Sequence, residues 1–143
     1  MNQPLPVANA SRAVRVIHVA LVIGLALAGA VLYVVRRASP PLSVGAAPSL
    51  AIIVAAIAAI TLIMAVLVLR PRVPARRPDQ DGDAYWKAAL GPAIVLWGAV
   101  EGTGLMGAVG YFVTGGTLPL AAFVLGVATL AVVGPGRLEG EGQ

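Results

Sequence analysis

The chain has 143 residues, of which 59% are apolar and 11% are charged. A soluble domain has roughly 45–50% apolar and about 25% charged residues, so this composition indicates a protein embedded in lipid and leaves little room for a soluble domain. The formal charge of +4 comes from basic side chains at the ends of apolar segments, a pattern that is typical of membrane orientation and lipid contact and not of nucleic-acid binding.

Four apolar segments follow in chain order, and a helix needs about 20 such residues to cross the hydrocarbon core of a bilayer. They predict transmembrane helices over residues 13–35, 50–69, 88–113 and 118–133. The first is interpreted as a retained anchor and not as a secretory signal, because Arg36 and Arg37 follow it where a cleavage site should lie. The fourth is short for a full crossing. We therefore expect an all-α membrane protein, a single domain of four transmembrane helices arranged as two hairpins.

Polar segments separate these helices. Prolines in 38–49 interrupt the helix and predict a tight connection. The longest polar segment, 70–87, is rich in Pro, Arg and Asp and predicts a mobile surface loop. The tail 135–143 is polar and is predicted to be disordered. The predicted interface anchors at the helix ends are Tyr85, Trp86, Arg36, Arg37 and Arg70.

Cations are distributed unevenly between the two sides that four crossings create. Only Arg36 and Arg37 lie on one side. The eight on the other side are Arg12, Arg15, Arg70, Arg72, Arg76, Arg77, Lys87 and Arg137. Since the side with more Lys and Arg near the spans is cytoplasmic, we expect a multi-pass protein of the cell membrane with both termini and the 70–87 loop in the cytoplasm.

A shift of 78 positions aligns the first predicted helix with the third. Ten of 21 positions match between 22–42 and 100–120, and they include the pair Tyr33 and Tyr111. Because both helices run outward from the cytoplasm, the match indicates a parallel internal repeat of two hairpins, a known way of building membrane bundles.

Glu101 is the only acidic residue in the four predicted spans, and Ile23 occupies its position in the repeat. An ionised carboxylate at the centre of a bilayer costs at least about 2.5–3.5 kcal/mol, so we expect neighbouring helices to shield this side chain. In one interpretation Glu101 loads and unloads a proton or a cation. In the other, the protonated acid only donates a hydrogen bond to a hydroxyl such as that of Thr61 or Thr103. The second is favoured, because the spans contain no second acid and no lysine that would complete a relay.

Small residues recur at a spacing of four on the third helix. The pairs are Gly98 with Gly102, Thr103 with Gly107, and Gly104 with Ala108. Small residues at this spacing let two helix backbones approach closely, which is how membrane helices associate. We expect this surface to pack within the chain, with packing against another subunit as the alternative.

No motif supports enzymatic function. The glycines between 102 and 107 have the spacing of a dinucleotide fingerprint, but they lie inside an apolar span without a preceding strand. The acidic turn 79–83 lacks the later ligands of a calcium loop. His18 is the only histidine and cysteine is absent, whereas even catalytic zinc takes three protein ligands. We predict no catalytic residue, no metal site and no cofactor, and we place His18 at the membrane interface.

A group of residues in the third span and its exit forms a recognisable pattern before the last hydrophobic helix. These are Trp97, Glu101, Gly102, Leu105, Gly107, Tyr111, Thr114 and Gly115. The segment 93–120 that contains them resembles an uncharacterised group of small four-helix bacterial membrane proteins, in which a helix of the form A-L-x-E-G ends in a T-G turn. This resemblance implies the fold and no particular activity.

A more distant likeness is to the proteolipid c subunits of rotary ATPases, small Gly-rich hairpins with a carboxylate in the middle of the membrane. In those proteins the acid lies on the second helix of a hairpin, whereas Glu101 lies on a first helix. Two functions are therefore predicted. The first is a non-enzymatic structural or accessory subunit that packs through its Gly-rich third helix against other membrane subunits or copies of itself. The alternative is an oligomeric proton or cation translocating protein that uses Glu101 as a proteolipid-like site.

Overall fold

The computed structural model describes residues 10–39 and 47–140. Over these residues the chain forms helices and no strand: α1 Ala10–Ala38, α2 Ala47–Met64, α3 Gly82–Thr114, α4 Thr117–Val132 and α5 Pro135–Gly140. After α2 the chain continues as a π-helical turn, Ala65–Leu69, and a 3-10 turn, Arg70–Arg72. Part of the predicted connection, 40–46, and the end of the predicted tail, 141–143, lie outside the described residues.

Three helices are long and apolar enough to cross a membrane, namely α1, α2 with its continuation, and α3. α4 is apolar but has only 16 residues. Large apolar side chains cover the outside of the bundle, among them Ile52, Ile60 and Leu67 of the second span, which are 58–69% exposed. Soluble proteins rarely expose large contiguous apolar surfaces. The prediction of an all-helical protein is thus confirmed for the described residues, and the three long apolar helices indicate a membrane protein.

α3 is the central helix of the bundle. It packs against α1, α2 and α4, whereas α1 and α2 have almost no contact with each other. Half of the most apolar 18-residue window of α3 is buried, compared with 17% in α1 and 11% in α2. The predicted grouping into two hairpins does not describe the packing of the first pair, because α3 lies between α1 and α2; the four-helix arrangement in the membrane stays a prediction. Seven of the 17 glycines of the chain are in α3, and they allow close approach from several sides.

The closest approach in the bundle is between α3 and α4. A Cβ atom on Gly107 would overlap the backbone nitrogen of Phe123 and lie 2.7 Å from the carbonyl oxygen of Pro119. On the opposite helix, a Cβ atom on Gly126 would lie 2.6 Å from the Cα atom of Gly104. Glycine is thus required on both helices, since the neighbouring atoms belong to the backbone and cannot rotate away.

α1 and α3 run parallel, because their contacts advance together along both helices. The contacting pairs are His18 with Trp97, Leu25 with Gly104, and Tyr33 with Tyr111. The two tyrosine rings stack with centroids 5.6 Å apart and planes inclined by 16°. The tyrosine pair is 78 positions apart, which is the offset of the internal repeat, and the other two pairs are 79 positions apart. The two helices of the repeat are therefore neighbours in the fold, within one position of the register that the repeat gives.

α3 begins at Gly82, earlier than the apolar segment that predicts it. The side chain of Asp81 accepts hydrogen bonds from the backbone N–H groups of Asp83 and Ala84 at 3.1 and 3.3 Å, which satisfies donors at the start of the helix. At the other end, Gly115 adopts a left-handed conformation with φ of 68°, and its N–H donates to the carbonyl oxygen of Tyr111 at 2.7 Å. Glycine suits such a helix end, and the tight turn leads directly into α4.

Candidate functional site

One side of α3 faces away from the other helices. We call it the outer face and define it by five of its exposed residues, Ile94, Gly98, Gly102, Leu105 and Val109. A Cβ atom added to Gly98 or Gly102 would meet no other atom within 4 Å. The expectation that this pair of glycines packs within the chain is therefore wrong, since no helix of the described chain covers it.

The other small residues singled out in the sequence lie inside the bundle. Thr103, Gly104, Gly107 and Ala108 are all buried. Gly104 accommodates Leu25 of α1, whose Cδ2 atom would lie 2.8 Å from a Cβ atom there. The small residues of α3 therefore form two sets, one occupied by α1 and α4 and one open on the outer face.

Glu101 lies at the border between the buried side of α3 and the outer face. Its side chain is partly exposed, and it makes no hydrogen bond or ion pair with a described residue. The hydroxyls of Thr61 and Thr103, the two expected acceptors, donate to carbonyl oxygens one turn earlier in their own helices, and neither is hydrogen-bonded to Glu101. The expectation that neighbouring helices shield the carboxyl does not hold, because they cover it on one side only.

The position of Glu101 along α3 places it far from both helix ends. Lys87 precedes it by 14 residues and Gly115 follows it by 14, which corresponds to about 21 Å in each direction at 1.5 Å per residue. If α3 crosses a bilayer, the carboxyl lies near the middle of the hydrocarbon core, where water does not solvate it.

A buried aromatic cluster forms a second feature, near the start of α3. The rings of His18 and Trp97 have centroids 5.0 Å apart, those of Tyr85 and Trp86 are 4.9 Å apart, and the two tryptophans are 6.2 Å apart. All four side chains are buried, and both tryptophans have 0% exposure. The depth of His18 in the membrane stays a prediction, but the expectation that Tyr85 and Trp86 anchor in lipid head groups is wrong, since both side chains are buried. The reason is that the chain after α4 folds over these rings.

The polar atoms of the cluster bind the carbonyl groups of this C-terminal segment. His18 Nε2 lies 2.8 Å from the carbonyl oxygen of Leu130, and Trp97 Nε1 donates to that of Val133 at 2.7 Å. Both carbonyls are at the end of α4, where the last carbonyls of a helix lack partners within it. The cluster thus satisfies the end of α4 inside the protein and allows this helix to stop after 16 residues.

The short helix α5 completes the cover of the cluster. Leu138 is buried, and its carbonyl oxygen accepts from the hydroxyl of Tyr85 at 3.2 Å. Glu139 accepts from Trp86 Nε1 at 2.8 Å and lies 3.4 Å from the guanidinium of Arg15. Since Arg15 is 63% exposed, this ion pair contributes little. The predicted disordered tail is corrected over 135–140, because its apolar residues and one carboxylate bind the aromatic cluster.

The sequence prediction does not include Leu138 and Glu139, although an indirect signal for them exists. The last carbonyl groups of α4 have no partner within the helix. A buried Trp or His, in turn, needs a hydrogen-bond partner. The three rings with N–H groups in this chain, His18, Trp86 and Trp97, could therefore have been matched to the residues after α4.

The predicted arginine anchors lie at ends of the long helices. Arg37 is placed with its guanidinium carbon 5.5 Å from the centroid of Tyr33, a cation–π geometry. Arg36 lies beside Gly115, and Arg70 follows the π-helical turn after α2. Within 10–39 and 47–140, no group of three or more His, Cys, Asp or Glu residues could hold a metal ion.

Comparison of the chain with protein-family models, curated proteins and solved structures found no match. The two family resemblances based on the residues around Glu101 therefore stay predictions.

Proposed function

We propose that this chain is a non-enzymatic structural or accessory subunit of a membrane assembly, and that the outer face of α3 docks on a transmembrane helix of another subunit. The observation that carries the proposal is the position of Glu101. It is an acid without a partner among the described residues, in the middle of a long helix, beside two glycines whose side-chain space is open.

The energetic argument favours a protein partner over lipid on this face. An ionised carboxylate in the hydrocarbon core costs at least about 2.5–3.5 kcal/mol. Protonation lowers this cost but leaves a hydroxyl donor without an acceptor, and such an unpaired polar group is also costly. A helix seated on Gly98 and Gly102 would exclude lipid from the carboxyl and bring a hydrogen-bonding group within reach.

The membrane arrangement in this proposal has four crossings, with both termini and the loop after α2 in the cytoplasm. The excess of cations at that end of the helices supports the orientation. The contacts of α5 support a fourth crossing, because the chain after α4 reaches Tyr85 and Trp86 at the beginning of α3. α4 and the segment after it thus follow α3 over most of its length.

Photo-cross-linking in native membranes tests the docking surface. A photoreactive residue at Leu105, on the outer face, should yield a discrete protein adduct, since a partner helix lies over it. The same residue at Ile60, an exposed position of α2, should yield mainly lipid adducts. We expect the double variant Gly98→Ile with Gly102→Ile to lose the adduct by at least about tenfold, because branched side chains prevent close backbone approach.

The matched control adds bulk to a lipid-facing position elsewhere. Ala56→Ile, on the exposed side of α2, should leave the Leu105 adduct unchanged. The proposal is contradicted if the Leu105 adduct still forms in the double glycine variant. It is also contradicted if the parent protein forms no protein adduct at Leu105.

The same partly exposed carboxyl favours one second candidate, an oligomer that conducts protons or cations through Glu101. This function requires several copies, because a single acid in one bundle offers too few groups to line a pathway. Proteoliposomes containing the purified protein should then show a flux that Glu101→Gln abolishes, since the amide cannot release a proton. An unchanged flux in that variant, or none in the parent protein, excludes the conductor and leaves the docking proposal intact.

A further inference from the structure

A cavity of about 280 Å³ lies where the end of the α2 span meets α4 and α5. Arg70 and Arg137 line it, together with Thr129 of α4. The remaining lining is aliphatic and includes Val66, one turn before Arg70 in the second span, and Val132, the last residue of α4, five residues before Arg137. The cavity is therefore cationic at its outer end and mainly aliphatic at its inner end, where Thr129 is the one polar residue of the lining.

The cavity lies at the end of two apolar helices. Arg70 directly follows the apolar run of the second span, and Arg137 comes five residues after the end of α4. In a membrane, basic residues in this position lie at the depth of lipid phosphates. The wall formed by α2 is the π-helical turn Ala65–Leu69, and single π-helical turns are frequent at functional sites.

We propose that this cavity binds the phosphate of an anionic glycerophospholipid, with the upper part of an acyl chain against Val66 and Val132. A guanidinium presents paired N–H donors that match a phosphate. It has five such donors, more than the two that a paired contact with a phosphate uses, and Arg70 and Arg137 also make contacts within the chain. The acid of α5, Glu139, binds Trp86 and Arg15 and does not line the cavity.

The apolar half of the cavity selects a lipid over a soluble phosphate. Inorganic phosphate would gain nothing from the aliphatic wall, whereas an acyl chain that enters from the bilayer buries apolar surface there. Basic pockets between membrane helices are known sites for anionic head groups. This inference is independent of docking by α3, because the cavity is on the side of the bundle formed by α2 and α4.

Native mass spectrometry of the purified protein in neutral detergent tests the site, with phosphatidylglycerol and phosphatidylcholine added in equal amounts. We expect the parent protein to retain phosphatidylglycerol preferentially. The double variant Arg70→Gln with Arg137→Gln should bind phosphatidylglycerol roughly thirtyfold more weakly, which is about 2 kcal/mol. Each arginine near a lipid surface contributes about half of this free energy. The control Arg72→Gln with Arg77→Gln removes the same charge from exposed positions outside the cavity and should retain the preference.

Three results would overturn the inference. They are an equal loss of phosphatidylglycerol in both double variants, undiminished binding in the cavity variant, and displacement of the lipid by an equal concentration of inorganic phosphate. Thermal unfolding in phosphatidylcholine checks that the variants fold. If the glutamine variant unfolds, Arg70→Lys with Arg137→Lys replaces it; this variant keeps the charges but loses the paired donors, and a smaller loss of affinity, about threefold to tenfold, is expected.

Discussion

Replacing Gly107 by alanine is expected to lower the free energy of unfolding by about 3 kcal/mol, near the upper end of the usual cost of overpacking. The added methyl group would overlap the backbone nitrogen of Phe123 and crowd the carbonyl oxygen of Pro119. Both are backbone atoms of the first turns of α4, so no rotamer change relieves the overlap and the two helices must separate. Unfolding by increasing SDS in mixed micelles, followed by tryptophan fluorescence, measures this loss.

Gly102 provides the matched control on the same helix. A methyl group there meets no atom within 4 Å, and alanine is favoured over glycine in a helix by up to about 1 kcal/mol. Gly102→Ala should therefore unfold at the same or a slightly higher SDS fraction than the parent protein. A similar loss of stability in both variants would contradict the division of the α3 glycines into a packed set and an open set.

The helices follow from hydropathy, but their packing order does not. Apolar runs mark α1 to α4 to within a few residues, apart from the start of α3, where the cap at Asp81 extends the helix beyond the apolar run. Hydropathy does not indicate which helix faces pack together, and adjacency in the chain suggests that α1 packs against α2. The high glycine content of α3 is the signal that marks it as the central helix, since each close helix contact needs small residues.

Glu101 can be found from the sequence as a rare charge, but its exposure cannot. Helical spacing puts it between two sets of small residues, and either set would satisfy the pattern of a packing surface. The choice depends on where α1 and α4 lie, which is decided by long-range fits such as Leu25 against Gly104. The polar composition of the tail predicts disorder, because its few apolar residues have no partner nearby in the sequence. Leu138 is nevertheless buried, since it packs against the aromatic cluster.

A second large effect is expected at Trp97, where phenylalanine should lower the free energy of unfolding by about 3 kcal/mol. Phenylalanine keeps an apolar ring next to His18 but leaves a small void, which costs about 1 kcal/mol. It also removes the N–H group that donates to the carbonyl oxygen of Val133 at 2.7 Å. A buried acceptor without a partner costs about 1–3 kcal/mol, and in a membrane no water replaces the lost donor.

Trp86→Phe separates the cost of the void from the cost of the unpaired carbonyl. Trp86 is as fully buried as Trp97, but its N–H group donates to the carboxylate of Glu139. That carboxylate is partly exposed and remains beside Arg15, so it keeps other partners after the substitution. We expect trypsin to cleave both variants faster after Arg137, since each substitution loosens α5. Only Trp97→Phe should also lose the full amount, about 3 kcal/mol, of the free energy of unfolding measured in SDS. Equal unfolding free energies would mean that the Val133 carbonyl finds another donor, and that α4 does not depend on Trp97 to end inside the bundle.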